Sequence, residues 1–328
     1  MTPTAADLER FFRVMTINGA AQLLTMDRRY KFLATCAERS LMLAEISQRC
    51  GTHEKPTRLV MEGFVALGLV KEDAARFSLA PLGKLLAMTP EILGNRFWDH
   101  LPEYLKTGEP IIKMDVVQHQ AEHYQVEVGP LGWMLTPAAE EVAQLLGIGN
   151  QRRGFRILDV GAGSAVWSLA MIRCDQSSTV TALDWPEVLR VAQQQAKTQG
   201  LQAQLDVIQG DFNEVPLPKK TFDLAILANI THLQTLERNR HLFRRIYEAL
   251  DTNGEAVIID VFPGASEGDL TRILYRLGLA LRTEQGQVYS PEQLSDELRE
   301  AGFVSCKLTL LKSPPYILGM LLAAKQRN

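Results

Sequence analysis

The 328-residue chain has few of the features that mark secreted, metal-binding, nucleic-acid-binding or membrane proteins. Its four cysteines lack the paired spacing of a metal site, so we expect no bound metal and reduced thiols in the cytoplasm. The net charge of −3 gives no reason to expect nucleic acid or an anionic membrane as a partner. No signal peptide is evident, and the longest apolar runs are too short to cross a bilayer. The cysteines are Cys36, Cys50, Cys174 and Cys306.

A short apolar run followed by two glycines stands near the middle of the chain. The run 157–160 predicts a buried strand, and Gly161 and Gly163 predict a tight turn into a helix. These glycines let the backbone approach a ligand closely, and the free N–H groups at the start of the helix face that ligand. On its own the pattern also fits an ordinary connection between a strand and a helix.

The next predicted strand, 178–184, ends at Asp184, about twenty residues beyond the glycines, where a ribose-binding carboxylate belongs in a mononucleotide-binding βαβ unit. Asp159 stands just before the turn, where a fixed negative charge suits a cationic ligand better than a pyrophosphate. Ala165 stands where a third glycine is expected. The pattern therefore favours S-adenosylmethionine, whose amino and sulfonium groups are positive, over NAD.

Five motifs, in order and spacing, resemble those of the S-adenosylmethionine-dependent O-methyltransferases with an N-terminal winged-helix dimerisation domain, such as plant caffeate-type and bacterial hydroxyneurosporene-type enzymes. The resemblance covers nearly the whole chain. It implies an α/β fold, with a Rossmann-like class I methyltransferase sheet at 151–328, a mainly helical winged-helix domain at 1–95 and a helical linker at 96–150 that contributes to the substrate pocket. The motifs are Leu158 to Gly163, Leu183 to Pro186, Gly210 to Phe212, Asn229 to His232 and Val257 to Asp260.

The resemblance also implies the residues that hold the cofactor, S-adenosyl-L-methionine. Asp211, at the end of a third predicted strand, accepts from the adenine amino group, and Phe212 packs on the ring; a turn cap and a core position are the alternatives. Trp185 flanks the adenine or packs against its own neighbour in the chain. The full predicted set is Asp159, Gly161, Gly163, Asp184, Trp185, Asp211, Phe212 and Asn229.

Residues 1–95 follow the outline of a winged helix, with helices up to residue 67 and a β-hairpin predicted at 68–70 and 77–79. This outline also occurs in DNA-binding proteins. DNA binding needs a concentrated basic face, yet the segment holds 12 Lys and Arg against 10 Asp and Glu. The predicted recognition helix carries Lys55 and Arg58 beside two glutamates. The resemblance instead implies that this domain pairs two subunits as a homodimer.

Two polar residues near the carboxyl ends of the fourth and fifth predicted strands are the catalytic candidates, since ligands bind at that edge of open α/β sheets. A neutral imidazole, with an ordinary pKa of about 6.5, can take a proton from a phenol as the methyl group arrives, so we predict His232 as the general base. The fifth strand follows a predicted Asn253-Gly254 turn and ends at Asp260. In plant members a Glu at the matching position orients the catalytic His, and the resemblance implies this role for Asp260. Capping of the following turn is the alternative.

Four side chains are predicted to line the acceptor pocket. The resemblance places Trp133 and Met134 there, on the helix that leads into the cofactor domain, where a flat aromatic acceptor can stack. It also implies Tyr275 and Leu279, on a helix predicted at 270–281. Ordinary domain-packing core is the alternative for such aromatic and apolar residues.

Three positions depart from the plant pattern. Leu233 replaces an Asp after the His, Val288 replaces a second carboxylate that flanks the His, and Ala228 replaces a cofactor-contacting Lys. The favoured interpretation is a methyltransferase that acts on a small aromatic or conjugated hydroxyl acceptor by SN2 transfer. Methylation of carbon, a non-methylating relative and, from another class, a winged-helix regulator that senses a small molecule are the alternatives.

Overall fold

The chain divides into two compact units, Met1–Asn95 and Arg96–Asn328. The computed structural model describes residues 3–115, 132–263 and 269–326. Part of the predicted linker, 116–131, therefore lies outside the described residues, and the described remainder of that linker belongs to the second unit. The roles predicted for the two units stay predictions.

The first unit is mainly helical with a small antiparallel sheet of order β1-β3-β2. Its core includes Phe32, Met61, Phe64 and Phe77, all at most 2% exposed. The predicted hairpin is present, but its first strand begins at Val70. The elements are α1 (Ala5–Tyr30), α2 (Phe32–Thr35), β1 (Leu41–Met42), α3 (Leu43–Cys50), α4 (Glu54–Ala66), β2 (Val70–Asp73), β3 (Arg76–Leu79), α5 (Pro81–Met88) and a 3₁₀ turn at Pro90–Leu93.

Helix α1 is capped at both ends but has no buried residue among those described. At its start the Thr4 hydroxyl accepts from the Asp7 N–H, and the Asp7 carboxylate accepts from the Thr4 N–H, which is a capping box. It ends at Lys31 in the left-handed conformation. Six of its large apolar side chains are 48–64% exposed: Leu8, Phe11, Phe12, Val14, Met15 and Ile17.

The second unit is built on a seven-stranded sheet of order β6-β5-β4-β7-β8-β10-β9. Strands β4 to β8 pair in parallel, whereas β9 and β10 close the edge as an antiparallel pair. The elements are α6 (Asn95–Thr107), α7 (132–145), β4 (Arg156–Val160), α8 (Val166–Cys174), β5 (Thr179–Asp184), α9 (Pro186–Thr198), β6 (Leu205–Gln209), β7 (Phe222–Ala228), α10 (Leu236–Ala249), β8 (Leu250–Val261), α11 (Leu270–Ala280), α12 (Pro291–Ala301), β9 (Ser305–Leu310) and β10 (Leu318–Ala324).

Successive residues of the parallel strands enter different cores on the two faces of the sheet. Ile157 packs with residues of α7, α8 and α9, and the adjacent Leu158 packs with residues of α10 and α12. This arrangement confirms the predicted Rossmann-like fold. In the described part of the chain, no helix is both long enough and apolar enough to cross a membrane.

The predicted Asn253-Gly254 turn is wrong, because both residues lie inside β8. The register between β7 and β8 shifts there: Phe222 pairs with Leu250, but Leu224 pairs with Glu255. The extra residues on β8 form an irregularity of the β-bulge type, which accommodates a glycine without ending the strand. The strand therefore runs unbroken to Val261 and carries Asp260 at the end of the sheet that holds the site.

Candidate active site

A cleft that is partly open to solvent lies at the carboxyl ends of the central parallel strands. Six of the eight predicted cofactor residues line it: Gly161, Gly163, Asp184, Trp185, Phe212 and Asn229. The other lining residues are Asp115, Leu135, Ala162, Ser164, Val166, Trp167, Asn213, Ala228, Ile230, Leu233, Gln234 and Arg238.

The turn after β4 requires glycine at position 161. Gly161 has a φ of +63°, and a Cβ atom there would lie 2.2 Å from Cδ1 of Ile230. The Gly161 N–H donates to the Leu183 carbonyl oxygen at 2.8 Å, which ties the turn to the end of β5. A side chain at this position would therefore fill the floor of the cleft.

Asp184 is held by two backbone donors at the end of β5. Its Oδ2 accepts from the Gly163 N–H at 2.9 Å, and its Oδ1 accepts from the Trp185 N–H at 2.7 Å. Burial raises the pKa of Asp184 to about 6, although these two hydrogen bonds act in the opposite direction. The carboxylate is oriented before any ligand arrives, and each oxygen retains a further lone pair.

Asp159 is not brought to the cleft, which corrects the prediction that it supplies a fixed charge to the ligand. It is 1% exposed, and its Oδ2 accepts from the Ser168 hydroxyl of α8 at 2.5 Å. Burial raises the pKa of Asp159 to about 7, so it carries only part of a negative charge at neutral pH. Its observed contact joins β4 to α8 beneath the glycine turn.

The segment after β6 presents Phe212 and Asn213 to the cleft, whereas Asp211 is not among the lining residues. The Oδ1 of Asp211 accepts from the Asn213 N–H at 2.8 Å, which is the turn-capping alternative. Both Asp211 oxygens retain a lone pair, so its contact with the adenine amino group stays a prediction. Asn213 was missed because no spacing rule distinguishes it from other turn residues.

Asn229 lies between β7 and the turn that contains His232, and its backbone is left-handed, with a φ of +56°. Its N–H donates to the Ile259 carbonyl oxygen of β8 at 2.8 Å. Asn is one of the few non-glycine residues that adopt this conformation at modest cost. The chain then enters a 3₁₀ turn at Thr231–Leu233 that contains His232.

His232 and Asp260 form a buried pair whose side chains are 6% and 3% exposed. His232 Nδ1 lies 2.6 Å from Asp260 Oδ1, and the Thr231 hydroxyl donates to Asp260 Oδ2. Burial alone would raise the pKa of Asp260, but the charge of His232 and these hydrogen bonds outweigh it and hold that pKa below its ordinary value. Because an ionised Asp260 can only accept, His232 carries a hydrogen on Nδ1, and in the neutral form of the ring, the form that can act as a base, the lone pair lies on Nε2.

Tyr275 lies against this pair, whereas the other predicted acceptor residues are less directly placed. The Tyr275 hydroxyl is 3.3 Å from His232 Nε2. Leu279, one turn further along α11, is 1% exposed and is absent from the cleft lining. Trp133 is 50% exposed, and neither it nor Met134 lines the cleft. Helix α7 contributes Leu135 instead.

The cleft contains charged residues that sequence reasoning missed. Asp115 is 6% exposed, and its two oxygens accept from the backbone N–H groups of Glu284 and Gln285 at 2.8 and 2.5 Å. With Asp184 it gives the lining two carboxylates against one guanidinium, that of Arg238. No local pattern could have found Asp115, because its partners lie about 170 residues away along the chain.

The fold and the cleft together define the class of protein. A glycine turn that excludes side chains, an oriented carboxylate at the next strand end and an aromatic ring at the third fit a nucleoside. The excess of acidic over basic lining suits a ligand with positive groups better than a pyrophosphate. Among residues 3–115, 132–263 and 269–326, no group of three or more His, Cys, Asp and Glu side chains could hold a metal ion. The protein is an S-adenosylmethionine-dependent methyltransferase.

Comparison with known proteins shows which methyltransferases this chain resembles. Residues 143–304 match the family model of the O-methyltransferase domain, so the chain carries this domain, and the resemblance inferred from the sequence motifs is confirmed. The chain is 24% identical to demethylspheroidene O-methyltransferase from Rhodobacter capsulatus, over 92% of this chain and 78% of that protein. It is 26% identical to the tetracenomycin polyketide synthesis 8-O-methyltransferase of Streptomyces glaucescens, over 85% of this chain and 86% of that protein.

A solved structure supports the fold over the full length of both chains. Human N-acetylserotonin methyltransferase, in complex with S-adenosylmethionine, superposes with a TM-score of 0.73 and 21% identity. The alignment covers 100% of this chain and 100% of that one. At this identity the likeness establishes the fold, whereas the roles of the individual site residues stay predictions.

Proposed function

We propose that this methyltransferase methylates a hydroxyl group of a small aromatic or conjugated acceptor, with His232 as general base. The observation that carries the proposal is the 2.6 Å contact between His232 Nδ1 and Asp260 Oδ1, because it leaves Nε2 to receive a proton. The acceptor class agrees with the names of the two relatives, which are an O-methyltransferase of demethylspheroidene and one of tetracenomycin polyketide synthesis.

The strand-end residues form the proposed cofactor site. Asp184 accepts from the ribose hydroxyls, and Phe212 and Trp185 flank the adenine. The glycine turn allows the backbone to approach, and Asp159 supports that turn from below through its Ser168 contact. When bound, the cofactor supplies an electrophilic methyl carbon on a positively charged sulfur. Because that sulfur leaves readily, the protein's main chemical task is to deprotonate and orient the acceptor.

The buried pair performs the proton transfer. His232 receives the acceptor proton and becomes an imidazolium, which the Asp260 carboxylate stabilises at 2.6 Å. The Thr231 hydroxyl and the His232 backbone N–H both donate to Asp260 Oδ2, so the carboxylate cannot rotate away from the ring. Positioned proton transfer of this kind contributes about 10²–10⁴-fold to a rate.

The test is methyl transfer from isotopically labelled S-adenosylmethionine to a panel of phenols, naphthols and hydroxylated polyketides. The labelled methyl group is located by mass spectrometry and NMR, and we expect it on oxygen. A labelled methyl group on carbon would contradict the proposal and show that the enzyme methylates carbon. Full turnover by both His232→Ala and Asp260→Ala would remove His232 as the base.

We also propose that the protein is a homodimer that pairs through its first unit. The six exposed apolar side chains of α1, among them Phe11 and Phe12, support this, because such a patch on a soluble protein marks an association surface. Light scattering after gel filtration should give twice the monomer mass. Phe11→Glu with Phe12→Glu should give a monomer, whereas Leu105→Glu, at an exposed position of α6, should not.

A role in DNA binding has little support in α4, the helix that would read DNA. Arg58 is bound to two carboxylates, with Nε 2.7 Å from Glu62 and Nη1 2.6 Å from Glu72, so its charge is already compensated. We propose that the protein binds no nucleic acid and acts in the cytoplasm, where its four free cysteines stay reduced. Salt-sensitive retention of duplex DNA would contradict the first part.

A further inference from the structure

Tyr275 occupies the nitrogen of His232 that the proposed reaction needs. The Tyr275 hydroxyl is 3.3 Å from Nε2, and the two rings meet edge to face at 86° with their centroids 5.8 Å apart. Nδ1 is already engaged by Asp260. Both nitrogens of the buried imidazole therefore have a partner within the protein.

The tautomer fixes the direction of the contact between Tyr275 and His232. Because Nδ1 carries the hydrogen that Asp260 accepts, Nε2 presents a lone pair, and the Tyr275 O–H donates to it. A ring nitrogen has only one such lone pair in its plane. An acceptor hydroxyl and the Tyr275 hydroxyl cannot both donate to Nε2, so an acceptor either displaces Tyr275 or reaches His232 through it.

The surroundings favour the route through Tyr275. Neither side chain is among the cleft-lining residues, but Tyr275 is only half-buried whereas the His232 side chain is 6% exposed, so Tyr275 is the more accessible of the two. The guanidinium of Arg282 lies 5.9 Å from the centroid of the Tyr275 ring. A positive charge there stabilises the negative charge that builds on the tyrosine oxygen as it shares its proton.

We propose that Tyr275 is a catalytic proton relay between the acceptor hydroxyl and His232, an inference that rests on the proposed function. The acceptor O–H bond breaks and its proton bonds to Tyr275 Oη, while the original Tyr275 proton moves to His232 Nε2. The acceptor oxygen bonds to the methyl carbon supplied by S-adenosylmethionine, whose carbon–sulfur bond breaks with its electron pair on sulfur. Tyr275 ends neutral, and the imidazolium releases its proton to solvent afterwards.

The two routes predict opposite results for Tyr275→Phe. With 2-naphthol as acceptor, the relay predicts that kcat falls about 100-fold or more, while the Kd of S-adenosylmethionine is unchanged. Displacement predicts an equal or higher kcat, because a competitor for Nε2 has been removed. Tyr247→Phe is the matched control, since this ring packs against Phe303, 5.3 Å away, outside the site.

A more acidic acceptor separates the relay from a structural role. 1-Nitro-2-naphthol is largely ionised under the assay conditions and has no proton to pass on. The relay therefore predicts that Tyr275→Phe and wild type methylate it at rates within about twofold. A Tyr275 that only shapes the pocket would slow both naphthols equally, which would overturn the relay.

A spectroscopic measurement tests the contact without turnover. In ¹⁵N NMR of the cofactor-free protein, with the signals assigned through His232→Ala, the Nε2 resonance of His232 should move in Tyr275→Phe. An unmoved resonance overturns the relay. Wild type that methylates neither naphthol overturns the proposed acceptor class and the relay with it, whereas equal rates of wild type and Tyr275→Phe on 2-naphthol overturn the relay alone.

Discussion

The cofactor end and the acceptor end of the cleft are built in different ways. The cofactor end that we propose consists of strand ends and the turns after them, from Gly161 to Asn213 together with Asn229, and much of it is backbone. The acceptor end that we propose gathers residues from five separate segments: Asp115 and Leu135 of the cleft lining, and His232, Asp260 and Tyr275, which are not among the lining residues. The proposed cofactor site thus depends on local sequence, whereas tertiary packing assembles the proposed acceptor site. Two substitutions test whether the two ends are also separate in energy, and two more test what supports the cofactor end.

Asp260→Asn should have the largest effect on activity, and this effect should be limited to the acceptor end. The amide cannot stabilise an imidazolium and favours the wrong tautomer, so we expect kcat to fall about 10³-fold. The Kd of S-adenosylmethionine, measured by calorimetry, should change less than about twofold. Asp251→Asn is the control on the opposite end of β8, where Asp251 pairs with the exposed Arg156. A large loss of cofactor affinity in Asp260→Asn would show that the two ends of the cleft are coupled in energy.

Asp184→Ala should act on the cofactor end alone. Loss of two hydrogen bonds to a charged acceptor should raise the Kd of S-adenosylmethionine about 100-fold. The kcat at saturating cofactor should change much less, because the His232 pair is untouched. Asp206→Ala, an exposed position on the neighbouring β6, is the matched control. Unchanged affinity in Asp184→Ala would place the ribose elsewhere.

Gly161→Ala should destabilise the fold by about 1–3 kcal/mol, measured by denaturant unfolding. The new Cβ meets Ile230 Cδ1 at 2.2 Å in addition to the strain of a positive φ. Gly154→Ala carries a similar strain, with a φ of +69°, but meets nothing within 4 Å. The difference between the two variants isolates the steric term, and Ile230→Ala should recover part of it. Equal losses would mean that no such contact exists.

Asp159→Asn should change how stability depends on pH rather than remove a contact. Because the folded pKa of about 7 exceeds the ordinary value of 3.8, the folded protein binds more protons between these values, and wild type loses stability as pH rises through them. The amide lacks this loss while still accepting from Ser168. The variant's melting temperature should therefore rise relative to wild type by a few degrees between pH 4 and 8. If the melting temperatures of wild type and variant changed with pH in the same way, the burial of the Asp159 carboxyl would be contradicted.

The predictability of the site follows the same division. Gly161 and Asp184 could be placed from sequence because a strand, a turn and a helix have fixed lengths, so spacing alone sets where they meet. Asp159 was assigned a charge facing the ligand, since a sequence pattern cannot show on which side of the strand a buried carboxyl lies. The serine that partners it follows nine residues later and carries no signal of its own.

The fold as a whole was readable because strands and helices alternate from β4 onward. The prediction of a turn at Asn253-Gly254 was wrong because a glycine in a bulge and a glycine in a turn look alike in sequence. Asp115 was missed for a different reason: its hydrogen-bond donors are backbone groups, which every residue carries. The contact of Tyr275 with His232 depends on how α11 lies against the sheet, which no local pattern records.

Two adjacent parallel strands hold His232 and Asp260 together, which bears on how the enzyme can be altered. Ala228 of β7 pairs with Ile259 of β8, Asp260 follows on β8, and His232 follows β7 in a 3₁₀ turn, so the proposed base and its carboxylate share one frame. Leu135 of α7 lines the cleft outside that frame, whereas Leu233 belongs to the same turn as His232. Substitutions at Leu135 are therefore expected to change which acceptors fit while leaving the proton-accepting pair in register, which makes this position the natural starting point for directed evolution of new acceptor ranges.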